Sequence, residues 1–128
     1  MESEEIFARL RTSLERTGYV SNIHIFPGEF HQDSRQDKHA HITYLVDTSR
    51  GNKESEMHKL EREIRQGLYK QWHNDCHIRT CIEPEGDSLE KHTIHVSFNR
   101  NEERKERRIA VMATQLTKII DNYHYKRR

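Results

Sequence analysis

Apolar residues along the chain change period several times, and those changes mark seven segments. Residues 3–17 carry Ile6, Phe7, Leu10 and Leu14 at helical spacing behind Ser3, Glu4 and Glu5, which suit a helix N-terminus. Gly18 is the expected stop. Residues 19–26 switch to alternation, with Ile23 and Ile25 on one face and Asn22, His24 and Phe26 on the other, until Pro27 and Gly28 end the strand. Residues 29–38 have no period and read as a long hairpin connection. A second strand is predicted over 39–47 and a helix over 54–72, whose stripe is Met57, Leu60, Ile64, Leu68 and Trp72, with Gly67 inside it.

The second half follows the same plan. Residues 76–83 alternate Cys76, Ile78, Thr80 and Ile82 against His77, Arg79 and Cys81. Strong turn chemistry at 84–90 leads into a strand ending at Phe98. Asn99 and Glu102 have the spacing of a capping box. They open a helix to about residue 123, with Ile109, Met112, Leu116, Ile119 and Tyr123 as its stripe.

The expected order is therefore α-β-β-α-β-β-α. It implies an α+β fold, a single two-layer domain over 1–128 with a four-stranded antiparallel sheet covered by helices on one face. The halves 3–47 and 54–99 form a candidate pseudo-twofold repeat, and the helix at 100–124 stands outside it. Composition sharpens this: apolar residues are 32% and charged residues 34%, so the core is thin and one sheet face is wet. Charge nearly cancels, 22 basic against 21 acidic, which argues against a generally cationic nucleic-acid binder. Cys76 and Cys81 lie five apart on one strand, face opposite sides and cannot easily bridge, which points to a reduced, cytoplasmic setting. No apolar run reaches the length of a membrane span, so no membrane partner is expected.

The candidate chemistry sits on the polar sheet face. His41 and Thr43 lie two apart on one strand, His95 and Ser97 two apart on another, and the two pairs are 54 residues apart. Residues two apart on a strand share a face. His24, His77 and Arg79 are expected on that same face, Arg79 as a phosphate clamp and the histidines as substrate contacts.

The tetrapeptides HITY (41–44) and HVSF (95–98) resemble the paired motifs of the 2H phosphoesterase superfamily. The resemblance implies metal-independent cleavage of a phosphodiester, such as a cyclic phosphate or an oligonucleotide linkage, with no cofactor. His41 and His95 would divide the acid and base roles, and Thr43 and Ser97 would hold the nonbridging oxygens.

Three other readings use the same residues. His39 and His41, taken with Tyr123 and Lys126, look like fragments of an HUH single-strand endonuclease, which is metal-dependent. A zinc site from His24, His39, His41 and His77 matches no established spacing and has no evident carboxylate behind it, so no metal is expected. An open face of alternating polar residues also suits a non-catalytic module that binds RNA or a protein partner, or that pairs two copies of the chain.

Overall fold

The computed structural model describes residues 3–27, 39–49, 51–98 and 105–126. The elements are α1 (Ser3–Arg16), β1 (Val20–Phe26), β2 (His39–Asp47), α2 (Lys53–Trp72), β3 (Cys76–Pro84), β4 (Leu89–Phe98) and α3 (Lys105–Lys126). They follow the expected α-β-β-α-β-β-α order, with the helices packed on an antiparallel sheet of strand order β1-β2-β4-β3. The connection at 29–38 and the capping box of Asn99 and Glu102 lie outside the described residues.

Local chemistry explains the boundaries. α1 ends where Gly18 takes a φ of 73°, a left-handed stop that only glycine adopts without strain. The Thr17 hydroxyl donates to Leu14 O at 2.7 Å, satisfying one of the last helical carbonyls. β1 does not alternate cleanly, because a bulge falls between Ser21 and His24, where Asn22 has a φ of 49°. Arg11 on α1 reaches over to donate to Ile23 O within that bulge. The bulge corrects simple alternation from residue 19: it lets Val20 face Val46 while Ile25 still faces Ile42.

The core lies between sheet and helices. β4 alternates half-buried and buried residues, turning His92, Ile94, Val96 and Phe98 toward the helices. The predicted stripe of α2 is buried throughout, and α3 packs against both α1 and α2. On α3 the stripe is shifted at one position: Ile120 is buried, and Ile119 is half-buried against α2. A methyl placed on Gly67 would stand 2.8 Å from the Ile119 Cδ1, so glycine lets the two helices approach. Because that Cδ1 is the movable end of a half-buried side chain, Gly67→Ala is expected to recover only part of the roughly 1 kcal/mol that alanine gains over glycine in a helix. Chemical denaturation checks this, and a net loss would mean the contact cannot give.

At the end of the sheet, Arg108 lies over the Trp72 ring at 5.1 Å and pairs with Asp75 at 2.8 Å. Cys76 is buried beside this cluster. Burial first, then the charge of Asp75 against that of Arg108, pushes its thiol up to about 11. Cys81 is half-buried on the other sheet face, and both cysteines are free. Iodoacetamide is therefore expected to label Cys81 in the folded protein and Cys76 only after denaturation, as mapped by mass spectrometry. Equal rates would contradict the burial of Cys76. Among the described residues no helix is long and apolar enough to cross a membrane.

Candidate functional site

Odd-numbered residues of β2, β3 and β4 point away from the helices, and the registers align them into rows. Phe26 is opposite His41, His41 is opposite His95, and His95 is opposite Arg79. One row thus crosses all four strands. The Phe26 and His41 rings are 5.1 Å apart, and those of His41 and His95 are 6.0 Å apart and tilted by 49°. Both histidines are half-buried, while Arg79 is exposed.

The neighbouring rows complete the face. His24, Thr43, Thr93 and Cys81 form one, in which the Thr43 and Thr93 hydroxyls are 3.5 Å apart. His39, Ser97 and His77 form the other. Thr43 and Ser97 therefore stand on opposite sides of the central row. A local dyad between His41 and His95 relates them, and the same dyad exchanges Phe26 with Arg79 and His24 with His77. The symmetry lies in the strand register, with α3 having no counterpart.

The predicted site residues are thus divided. His41, His95 and Arg79 are neighbours in one row, and Thr43 and Ser97 each lie two residues from it, on opposite sides. His24 and His77 are on the two outer strands, three strand spacings or about 14 Å apart across the sheet, and two rows apart along it. That distance rules out one ion shared by His24, His41 and His77, and the His39 ring lies outside the described residues. Tyr123 is not brought to the face. It is buried in the helix layer, where its hydroxyl donates to the Glu56 carboxylate, and the sheet separates it from His41.

A second polar constellation lies on the helix-covered face. Tyr44, Glu61 and His92 are almost wholly buried, between 0% and 2% exposed. The Tyr44 hydroxyl and the His92 Nδ1–H both donate to Glu61 Oε2, the latter at 2.7 Å. His92 Nε2 faces Glu90 Oε1 at 3.1 Å, and His58 Nε2 stands 3.9 Å from that same oxygen. Among the described residues no buried side-chain polar atom is left without a partner.

The network fixes its own protonation. Burial alone would pull the His92 imidazolium toward neutrality, but the hydrogen bonds and charges of Glu61 and Glu90 outweigh it and raise its pKa above the usual histidine value. Burial first, reinforced by the Glu61 charge and hydrogen bond, holds the Tyr44 phenol well above the ordinary tyrosine range. Tyr44 therefore stays a donor. The signal for these residues was present in the sequence: His92 shares the strand parity of Ile94, and Glu61 directly follows Leu60 on the apolar side of α2.

Comparison with protein-family models, with curated protein sequences and with solved structures finds no match to this chain.

Proposed function

We propose that the open sheet face binds a phosphodiester and cleaves it, with His41 and His95 as the acid and base. The observation that carries this reading is their direct cross-strand opposition, with rings 6.0 Å apart. At that separation a phosphate seated above the two rings, and not in line between them, can accept or donate a hydrogen bond of about 2.9 Å with each. One imidazole takes a proton from the attacking hydroxyl or water as its oxygen bonds to phosphorus. The other donates a proton to the oxygen that leaves as the P–O bond breaks. Arg79, next in the row, supplies a guanidinium for the phosphate charge, and Thr43 and Ser97 supply hydroxyls from the two sides. The free cysteines favour a reducing cytoplasm as the place of work.

A second reading is supported by Phe26, whose ring stands beside His41 at one end of the row. An aromatic and an arginine at opposite ends of a row suit stacking of bases from single-stranded RNA without cleavage.

Assays with 2′,3′-cyclic nucleotides and short oligoribonucleotides in EDTA separate the two. Cleavage is expected in wild type and is expected to disappear in His41→Ala and His95→Ala without loss of thermal stability, because both side chains lie outside the core. Normal turnover in either variant refutes the catalytic reading. RNA binding without any cleavage by wild type would leave the binding module.

A further inference from the structure

The buried network ends at the surface in a second potential site, independent of the open face. His58 on α2 and Glu90 and His92 on β4 each offer one donor atom, all within 4.8 Å of one another. Ligands of a tetrahedral zinc ion lie about 2.0–2.2 Å from the metal, which places neighbouring donors roughly 3.3 Å apart. The Glu90 oxygen is 3.1 Å from His92 Nε2 and 3.9 Å from His58 Nε2. Only the outermost ligand has to move, and His58 is the most exposed of the three, its side chain 46% accessible.

The groups behind the donors fit the same purpose. A metal-binding histidine characteristically donates its other ring N–H to a carboxylate, which fixes its tautomer and orientation. His92 does so through Nδ1 to Glu61, and Glu61 is itself held by Tyr44. Charge points the same way. Glu61 and Glu90 are two carboxylates facing one imidazole, so a dication replacing the Nε2 proton would neutralise both, whereas an imidazolium neutralises one. Two imidazoles and one carboxylate select a zinc-class ion over magnesium or calcium, which prefer all-oxygen ligands.

We propose that His58, Glu90 and His92 bind a zinc-class divalent cation, with Glu61 orienting His92. Three protein ligands leave a fourth position for water on the His58 side.

The test is titration of chelator-treated full-length protein with Zn²⁺ by calorimetry, and with Co²⁺ followed by visible absorption. One equivalent should bind, Zn²⁺ should raise the melting temperature, and Mg²⁺ should not. His58→Ala and Glu90→Gln, both at the outward end, are each expected to weaken Zn²⁺ binding at least tenfold and to abolish the thermal shift. Glu61→Gln should weaken it 10- to 100-fold. His73→Ala, at the far end of α2, should leave binding unchanged. Absence of binding by wild type, or binding that survives both outward variants, overturns the proposal.

Discussion

Glu61→Ala is expected to destabilise the folded chain by about 3–5 kcal/mol, the cost of removing one partner from a buried ion pair. Glu61 Oε2 accepts from two donors at once, the Tyr44 hydroxyl and the His92 Nδ1–H. Both donor residues are fully buried. Removing the carboxylate leaves the buried phenol without that partner and strands the Nδ1–H of the ring, which keeps only Glu90 at Nε2. For a chain of this size, roughly 4 °C of melting temperature accompanies each kcal/mol, so a fall of about 12–20 °C should follow. Urea denaturation in EDTA, which keeps any metal out, measures the loss.

A companion variant isolates the cause. Replacing the whole inner set at once, as Tyr44→Phe, Glu61→Leu and His92→Leu, strands no buried donor and leaves Glu90 free to turn to solvent. It is expected to be more stable than Glu61→Ala alone, since apolar replacement of a complete buried pair is often close to neutral. If Glu61→Ala cost less than 1 kcal/mol, the network would not be contributing as its burial implies.

The sequence pattern made some of this legible and hid the rest for identifiable reasons. Periods of two and of three to four located all seven elements, because each carries an apolar stripe long enough to set its phase. The strand order was not legible. All four strands read as alternating segments in the sequence, so nothing local says that the hairpins join through β2 and β4, which makes His41 and His95 direct neighbours. On α3, Ile119 and Ile120 both satisfy helical spacing from Leu116. The choice between them depends on the close approach that Gly67 permits, a tertiary fact. The bulge at Asn22 was hidden because one extra residue leaves no mark on composition. The buried network was missed differently. His92 and Glu61 sit on apolar faces by parity, but a charged residue there has meaning only once its partner across the interface is known.

The largest expected effect on activity comes from the histidine pair, and its form discriminates chemistry from binding. General acid and base contributions are typically 10²–10⁴-fold each, so His41→Ala and His95→Ala should each lower kcat by that order, with KM little changed. The double variant should be no slower than about the slower single one, because an acid without its base no longer completes the transfer. An RNA-binding face behaves otherwise. Each ring removed would weaken affinity, and no rate would depend on the pair. The pH–rate profile adds a test that a structural role would not pass. Wild type should show a bell, His41→Ala should lose one limb and His95→Ala the other, which also assigns acid and base to strands. Arg79→Ala, outside the proton transfer, should keep both limbs and raise KM. Loss of the same limb in both histidine variants would mean that the two rings do not divide the roles, and the cross-strand opposition of His41 and His95 would then be a feature of the sheet and not of a catalytic site.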